Sequence, residues 1–372
     1  MNKRDEKSPI FLSPPHMGGR EFEYLKEAYE SNYIAPVGKF LDRFEESLRE
    51  FTKADYALAL SSATAAIHLA LRVSGVGKGD RVLASTFTFI GSVAPILYCG
   101  AEPVFIDCDS SWNMDPSLLA EALEKEKPSA VVLTHLYGQM ADMREITKLC
   151  REHGVVLIED AAESLGAEMD GRQSGTFGDF GVYSFNGNKI VTTSGGGMLV
   201  GRDEEMMAHA RKLSTQARED VLWYEHIEYG YNYRLSNLLA AIGVGQMEVL
   251  PMWIESKREL FRRYREAFAD IEELEWMPEI EGSRGNRWLS TMILKKSDPM
   301  RVIEALAEER IESRPLWKPM HMQPLFSKNR IYGGSVSREL FSRGICLPSG
   351  SDLKEEEQKR VIDTIRSRLC SG

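Results

Sequence analysis

Several features that would place a protein in a common class are missing from this sequence of 372 residues. No run approaches the roughly 18 apolar residues of a membrane-spanning helix, so no membrane partner is expected. The N-terminal segment MNKRDEKSPI is charged and lacks the apolar centre of a signal peptide. A cytoplasmic protein is therefore predicted.

Basic charge and paired cysteines are also scarce. The 46 Lys and Arg residues are outnumbered by 56 Asp and Glu residues, and the net charge of −10 disfavours a nucleic-acid partner. The five cysteines form no C-x-x-C pair and no metal-type spacing, so we expect buried thiols in a reducing compartment and no metal site. They are Cys99, Cys108, Cys150, Cys346 and Cys370.

No nucleotide-binding glycine loop follows the first predicted strand. The G-K-[ST] of a Walker loop is absent there, and the segment GVGKG at 75–79 follows a helix rather than a strand. We interpret GVGKG as a helix stop and a turn. An NAD-dependent epimerase or dehydratase is accordingly disfavoured.

What the sequence does contain is a regular alternation of short apolar segments and helices between residues 56 and 213. This pattern predicts a mostly parallel sheet that is covered on both faces and binds its ligand at the carboxyl ends of its strands. The predicted strands are 56–60, 81–85, 102–107, 130–135, 155–160, 180–185 and 197–201, and the helices 64–74, 89–98, 116–125, 142–153 and 203–213.

The segments outside this alternation predict a second, smaller domain. Helices are expected at 20–31 and 38–53, and a long helical stretch from about 235 to 270 is expected to break at Pro251. A short strand at 288–294 and helices at 299–309 and 353–369 follow. We therefore predict a large α/β domain at 12–251 and a small C-terminal α+β domain at 252–372.

Lys189 lies between a short apolar strand and the glycines of SGGGM. Its neighbours Phe185, Ile190 and Val191 indicate a site partly withdrawn from water, where the pKa of a lysine falls. Such a lysine can attack a carbonyl group, as in a Schiff base with substrate or with pyridoxal phosphate. The alternative is a surface lysine beside a glycine turn.

The segment SSATAA at 61–66 joins a predicted strand to an apolar helix. The free N–H groups and the positive dipole end of a helix N-terminus suit a phosphate group. The alternative is a simple helix cap formed by Ser62 or Thr64.

Asp160 stands where a buried strand ends, in VVLIEDAAE. A carboxylate at that point can pair with the pyridinium nitrogen of pyridoxal phosphate, although a helix cap is a common alternative use of Asp. Glu163, three residues later, could complete a capping box or face the same ligand.

Taken together and in this order, the segments resemble the DegT/DnrJ/EryC1/StrS family of pyridoxal phosphate-dependent sugar aminotransferases. The motifs that carry the resemblance are SATAA, TFTF, EDAAE, YSFNGNK and GYNYRLS, within a stretch from SPPHMGG to CLPSG. One branch is the most similar, namely the bacterial enzymes that aminate C4 of a UDP-linked 4-keto-6-deoxy-N-acetylglucosamine for N,N'-diacetylbacillosamine. The segments FLSPPHMGG, SNYIAP, TSGGGM, STQARE, GNRW and RPLWKPMH point to that branch.

The resemblance implies a fold and a set of partners. The fold would be the type I, aspartate-aminotransferase-like one, with a mostly parallel seven-stranded sheet in the large domain and a smaller C-terminal α+β domain. The cofactor would be pyridoxal 5'-phosphate, and the substrates a UDP-linked keto sugar and L-glutamate. A homodimer with shared active sites is also implied.

It further implies the roles of the cofactor residues. Lys189 would hold the cofactor as a Schiff base and, once freed, carry a proton between the cofactor and the sugar. Asp160 would pair with the pyridine nitrogen, Glu163 would sit near the phenolic oxygen, and Phe89 would stack on the ring. The phosphate would be held by Ala63, Thr64 and Ser184, and by Asn232 from the neighbouring subunit.

The substrate residues implied by the resemblance lie mainly in RPLWKPMH, where a structural turn with a stacked tryptophan is the alternative. They are Arg314, Trp317, Lys318 and His321, with Arg287 and Tyr33 as further candidates.

Three alternative functions have to be weighed against this one. A PLP-dependent sugar dehydratase is disfavoured because the deoxygenating members of the family replace the lysine with histidine, whereas Lys189 is present. A non-enzymatic regulator on the same fold would be expected to lose Lys189 or Asp160, and both remain. An aminotransferase for a dTDP-linked or GDP-linked keto sugar, of the perosamine type, remains open.

Overall fold

The structure is a computed structural model that describes residues 8–370, in which short strands alternate with helices. The strands are β1 (Tyr56–Leu60), β2 (Arg81–Ser85), β3 (Glu102–Ile106), β4 (Ala130–Thr134), β5 (Val156–Asp160), β6 (Glu168–Met169), β7 (Arg172–Gln173), β8 (Phe180–Ser184), β9 (Gly197–Gly201), β10 (Leu274–Trp276), β11 (Ser283–Arg284), β12 (Ser290–Leu294), β13 (Arg314–Pro315), β14 (Ile331–Tyr332) and β15 (Gly344–Leu347). The helices are α1 (Glu21–Glu30), α2 (Lys39–Thr52), α3 (Ala63–Val73), α4 (Ala94–Tyr98), α5 (Pro116–Glu126), α6 (Met143–His153), α7 (Glu204–Ser214), α8 (Asn237–Ala267), α9 (Pro299–Glu308), α10 (Val336–Arg343) and α11 (Glu355–Cys370).

The main sheet has eight strands in the order β1-β9-β8-β5-β4-β2-β3-β14. β9 runs antiparallel to both of its neighbours, and the other pairs are parallel. All seven predicted strands are present. The eighth, β14, was not predicted, because it is a two-residue strand far from the α/β alternation that pairs with Phe105 and Ile106 of β3.

Alternate residues of the buried strands face opposite sides of the main sheet. In β4, Ala130 and Val132 belong to the apolar layer that contains α3, α4 and α7. Val131 and Leu133 belong to the opposite layer, with α5 and α6. Because both sides are covered, the strand is apolar throughout, and burying each of the larger aliphatic side chains contributes about 1.5–3 kcal/mol.

The prediction that the long helix breaks at Pro251 was wrong, since α8 is continuous through it. Pro251 is exposed, whereas Leu250, Trp253 and Ile254 around it are buried. A proline inside a helix costs about 3 kcal/mol, and the burial of Trp253 and Ile254 is enough to offset that amount. Packing therefore maintains the helix despite the lost hydrogen bond.

Among the described residues, α8 is also the helix that is long and apolar enough to cross a membrane by length and composition alone. In its apolar window, 61% of the residues are buried inside the protein. It packs against α1 and α2. The core helices of water-soluble folds pass the same test, so α8 is weak evidence for a membrane span.

The C-terminal part contains an antiparallel sheet in the order β10-β12-β15-β13, as the α+β prediction requires. Its apolar side chains form a core with α9, α11 and the second half of α8, which contributes Leu260 and Tyr264. α8 crosses the predicted boundary between residues 251 and 252, and β14 returns to the main sheet. The division at that boundary stays a prediction.

Candidate active site

A cavity of about 450 Å³ lies beyond the carboxyl ends of β1, β5 and β8. Ser61 follows β1, and Asp160 and Ser184 are the last residues of β5 and β8. On its other side the cavity is lined by Trp288 and Cys346, which belong to the C-terminal part. The carboxyl edge is where ligands of parallel α/β sheets bind, so this cavity is the candidate active site.

Lys189 enters the cavity from the loop between β8 and β9, and its side chain is only 11% exposed. Its Nζ lies 3.6 Å from Oε1 of Glu163 and 4.0 Å from the ring centre of Trp288. Burial lowers the pKa of Lys189, and the negative charges of Glu163 and Asp160 partly offset this by raising it. The interpretation as a surface lysine is thereby excluded, and a reactive neutral amine is accessible.

Asp160 is buried at the end of β5, with its carboxylate in the cavity. Oδ2 accepts a hydrogen bond from Ser92 Oγ at 2.5 Å, and Oδ1 accepts one from the N–H of Ala162 at 3.0 Å. Burial raises the pKa of Asp160, whereas both hydrogen bonds and Lys189 oppose that rise. The bond to Ala162 closes a local turn and no helix follows, so Asp160 is not a helix cap.

Glu163 faces Lys189 from the turn after β5. Its Oε2 accepts a hydrogen bond of 2.6 Å from the N–H of Tyr137. Burial raises the pKa of Glu163 to about 7, although the charge of Lys189 opposes the change. A carboxyl group in this range can hold or release a proton beside the lysine near neutral pH. The capping-box interpretation fails, since no helix begins here.

The N-terminus of α3 closes one end of the cavity. Ser62 does cap this helix, because its Oγ accepts a hydrogen bond of 3.0 Å from the N–H of Ala65. The N–H groups of Ala63 and Thr64 have no partner within the helix, as in any first turn, and both residues line the cavity. The cap and the phosphate site are therefore compatible, because they use different atoms.

Gly197 explains how β9 can pass next to this helix end. A Cβ atom on Gly197 would lie 2.3 Å from the backbone nitrogen of Ala63 and 2.4 Å from the carbonyl carbon of Ser62. Any side chain would therefore displace the first turn of α3. The glycine is required here by close backbone approach.

Comparison with known protein families shows where this sequence belongs. Residues 15–366 match the DegT/DnrJ/EryC1/StrS aminotransferase family. The chain belongs to this family.

Two similar proteins and one crystal structure extend the comparison. EpsN of Bacillus subtilis, provisionally assigned as a pyridoxal phosphate-dependent aminotransferase, is 52% identical over 367 residues, which cover 96% of this chain and 95% of EpsN. The GDP-perosamine synthase of Vibrio cholerae is 35% identical over 358 residues, which cover 95% and 97% of the two chains. The aminotransferase TlmJ of Streptoalloteichus hindustanus has a TM-score of 0.92 at 28% identity, covering 97% of this chain and 99% of TlmJ. The predicted fold, the enzyme class and the pyridoxal phosphate cofactor are confirmed.

Pyridoxal phosphate fits the groups around the cavity of this family member. The first turn of α3 offers backbone N–H groups to a phosphate, and buried Asp160 offers a carboxylate to a protonated ring nitrogen. Lys189 offers an amine to the aldehyde. The N–H groups of α3, the carboxylate of Asp160 and the amine of Lys189 thus meet in one cavity. Together they match the phosphate, the ring nitrogen and the aldehyde of pyridoxal phosphate.

The structure brings almost all of the predicted cofactor residues together. Asn232 is the exception, since it is exposed and does not line this cavity. Its predicted contact with a neighbouring subunit stays a prediction. Those that line the cavity are Ala63, Thr64, Phe89, Asp160, Glu163, Ser184 and Lys189.

The predicted substrate residues are only partly brought together. Arg314 and Trp317 line the cavity, whereas Lys318 and Tyr33 do not, and Tyr33 is 59% exposed. The ring of Trp317 lies 5.5 Å from that of Phe89 at the mouth of the cavity. The ring of Trp317 is tilted against those of Phe89, Tyr137 and Trp288, so these contacts are not the stacking that the alternative for RPLWKPMH expects.

Two of the predicted substrate residues have structural partners outside the cavity. Arg287 donates to the carbonyl of Met277 at 2.8 Å, pairs with Glu279 at 3.3 Å and lies over the ring of Phe261. His321 Nδ1 lies 2.8 Å from Thr86 Oγ1. Neither side chain lines the cavity, and both contact other segments of the fold instead.

Sequence reasoning missed two residues that contact the central side chains. Ser92, in the short 3-10 helix Ile90–Ser92, hydrogen-bonds Asp160. Trp288 lies against Lys189, and its only signal was the aromatic residue in GNRW. Both come from segments distant in sequence from the residues they contact, so local patterns could not reveal them.

Proposed function

We propose that this enzyme transfers the amino group of L-glutamate to C4 of a UDP-linked 4-keto-6-deoxy-N-acetylhexosamine. The product would be UDP-4-amino-4,6-dideoxy-N-acetylglucosamine, a precursor of N,N'-diacetylbacillosamine and of surface glycans. The observation that carries the aminotransferase chemistry is the convergence of Lys189, Asp160 and the N-terminus of α3 on one cavity. The resemblance of segments such as RPLWKPMH supports the UDP-sugar branch.

When bound, pyridoxal phosphate supplies an electron sink for the bonds that break at the carbon bearing the amino group. Asp160 would pair with the ring nitrogen of the cofactor, and its carboxylate accepts hydrogen bonds from Ser92 and from the N–H of Ala162. The first turn of α3 would hold the phosphate of the cofactor with its backbone N–H groups. Ser184 lies at the same end of the cavity and adds a hydroxyl group.

Lys189 is the group that moves the proton. Its Nζ, whose pKa is lowered by burial, would carry a proton from the donor carbon to the cofactor in the first half-reaction and from the cofactor to C4 of the sugar in the second. Glu163 stands 3.6 Å away with a pKa of about 7, so it can exchange a proton with this amine. Burial of both side chains excludes water, which would otherwise compete for that proton.

The sugar nucleotide would enter past Phe89 and Trp317, whose rings flank the cavity mouth. Arg314 lines the same region, and its guanidinium lies 3.0 Å from Glu312 with 67% of the side chain exposed. An exposed guanidinium is suited to a diphosphate. It supplies positive charge in an otherwise acidic protein.

We also propose a cytoplasmic homodimer with shared active sites. The exposed apolar residues of the segment before α8 support a partner surface, since such side chains are costly in water. Asn232 lies close to them in sequence and is itself exposed. They are Leu222, Trp223, Tyr224, Ile227 and Tyr229.

A GDP-linked 4-keto sugar is the second candidate substrate, because the Vibrio cholerae relative at 35% identity is a GDP-perosamine synthase. An assay of the purified enzyme with L-glutamate and the UDP-, dTDP- and GDP-linked 4-keto sugars separates the two. We expect kcat/KM at least about tenfold higher for the UDP sugar, a difference of about 1.4 kcal/mol. Preference for the GDP sugar would overturn the UDP assignment and leave the aminotransferase assignment standing.

A further inference from the structure

The side chain of Trp288 is the closest ring to the amine of Lys189. The Nζ atom lies 4.0 Å from the ring centre, which is well within the roughly 6 Å over which a cation is attracted to an aromatic face. Oε1 of Glu163 is 3.6 Å from Nζ, longer than an ordinary N–H···O hydrogen bond. Lys189 is therefore held between a carboxyl group and a ring face.

Trp288 is itself fixed from several directions. Its Nε1–H donates to the carbonyl of Asn188 at 2.8 Å, so the same side chain binds the backbone next to Lys189 and faces its amine. Its own carbonyl accepts a hydrogen bond of 3.2 Å from Lys257, a buried lysine of α8. The indole is 2% exposed, and its position is thus determined by the fold.

Asn286 joins Trp288 to the opposite side of the lysine site. Its Oδ1 accepts a hydrogen bond of 2.8 Å from the N–H of Trp288. Its Nδ2 donates to the carbonyl of Glu163 at 2.8 Å and to that of Leu165 at 2.9 Å. The ring and the carboxyl group that enclose Lys189 therefore belong to one hydrogen-bonded unit.

A ring face and burial act on the amine in opposite directions. Burial favours the neutral form, whereas a cation–π contact stabilises only the ammonium form. In a lysine that must accept a proton and give it back, a fixed ring face retains the protonated form at a defined place. A purely apolar side chain of the same size would not do this.

We propose that Trp288 is a positioning residue, whose ring holds the side chain of the freed Lys189 in place and stabilises its ammonium form in the steps in which the lysine carries a proton. The lysine would be freed in the first half-reaction and would bond to the cofactor again at the end of the second, and in between the ring would keep the amine at the same location. This role rests on the pyridoxal phosphate chemistry of the family and is independent of which sugar is aminated.

The other titratable groups around Lys189 must stay unchanged in a test. Asp160 lies at the end of β5, and Glu163 lies in the turn that follows it. Tyr137 and Cys346 in turn interact with Glu163. Fluorinated tryptophans meet this requirement, because they keep the size and the N–H of the indole while withdrawing electrons from its face. One to three fluorine atoms would be introduced at position 288 of the full-length protein.

The readout is acetylation of Lys189 in the full-length, cofactor-free protein, followed by mass spectrometry at several pH values. We expect the rate at pH 7 to rise stepwise with fluorination, by about threefold to tenfold overall, because the ammonium form loses stabilisation. Trp288→Phe, which keeps a weaker ring face, should give an intermediate rate. No sugar or amino donor is required, so a wrong substrate assignment cannot affect the result.

The same substitutions at Trp317 provide the matched control. Trp317 lines the same cavity, with its ring 6.3 Å from that of Trp288. Fluorination there should leave the acetylation rate of Lys189 unchanged within about a factor of 1.5. Equal rates across the series at 288, or equal effects at both positions, would overturn the proposal and leave Trp288 as a packing residue only.

Discussion

Ser92 Oγ donates a hydrogen bond of 2.5 Å to Oδ2 of Asp160, and this contact joins the segment after β2 to the carboxyl end of β5. Thr88 extends the network, with its hydroxyl 2.7 Å from Ser92 and 2.8 Å from that of Thr134. The carboxylate of Asp160 is thus oriented by groups from several strands. Because Asp160 is buried, each hydrogen bond also decides how readily it ionises.

Replacing Ser92 should therefore weaken the ionised form of Asp160. Ser92→Ala removes a charge-assisted hydrogen bond worth about 1.5–3 kcal/mol, so we expect the affinity for pyridoxal phosphate to fall about tenfold or more. The dissociation constant is measured by absorbance titration of the cofactor-free protein. Ser74→Ala is the control, since Ser74 Oγ donates only to the carbonyl of Ala70 near the end of α3. Equal affinities in all three proteins would contradict the role of Ser92.

Lys189 should be the residue that binds the cofactor covalently. Lys189→Ala should abolish labelling by pyridoxal phosphate and borohydride and reduce kcat by about a thousandfold or more. Lys257 is the matched control, because it is also buried and its pKa is lowered to about 7 by burial, yet it donates to the carbonyls of Trp288 and Ser349. Lys257→Met should retain the label. Peptide mapping that finds the label on Lys257 would show the assignment to be wrong.

The raised pKa of Glu163 predicts a pH-dependent stability. Burial raises this pKa to about 7 from 4.5, so the protonated form favours the folded state. The stability that protonated Glu163 gives to the folded state is complete below about pH 4.5 and is lost as the pH rises through about 7. Glu163→Gln stays neutral, and we expect its free energy of unfolding to gain up to about 3 kcal/mol over the native protein between pH 4.5 and 8.

Urea unfolding of the two cofactor-free proteins at several pH values tests this expectation. The informative quantity is the difference between their free energies of unfolding, because the ionisable groups that do not interact with Glu163 affect both proteins alike. A difference that stays constant with pH would mean that Glu163 titrates normally in the folded protein.

Gly197 should be intolerant of any side chain. The added Cβ of Gly197→Ala would meet the backbone of Ser62 and Ala63 at 2.4 Å or less, so the first turn of α3 must shift. We expect a loss of about 1–3 kcal/mol in stability and weaker binding of pyridoxal phosphate. Thermal unfolding and absorbance titration measure the two effects. Gly77→Ala, which would meet nothing within 4 Å, should change neither, and equal losses in both variants would refute the steric explanation.

Two arginines that were both candidates for substrate binding should behave differently. Arg314 lines the cavity, so Arg314→Met should raise KM for the nucleotide sugar about tenfold and change stability by less than about 0.5 kcal/mol. Arg287 pairs with Glu279 in the interior, so Arg287→Met should lower stability by about 3 kcal/mol. Steady-state kinetics and urea unfolding distinguish them. A normal KM in Arg314→Met would remove Arg314 from the substrate site.

The strands, the helices and the central chemical groups followed from the sequence, because they depend on local properties. Periodicity identified seven strands of the main sheet, since an α/β sheet covered on both sides needs apolar strands. Lys189 in an apolar setting and Asp160 at a strand end were recognisable for the same reason. Their meeting in one cavity was predictable from the rule that ligands bind at the carboxyl edge.

Only the tertiary structure decided which of the remaining residues face the cavity. Arg287 and Arg314 have the same chemistry, but packing buries one against Phe261 and leaves the other at the mouth. Likewise, Ser92 and Trp288 acquire their roles through contacts with residues 68 and 99 positions away. Such contacts depend on how whole elements pack, which no local pattern encodes. Packing between elements also keeps α8 continuous through Pro251 and adds β14 to the main sheet.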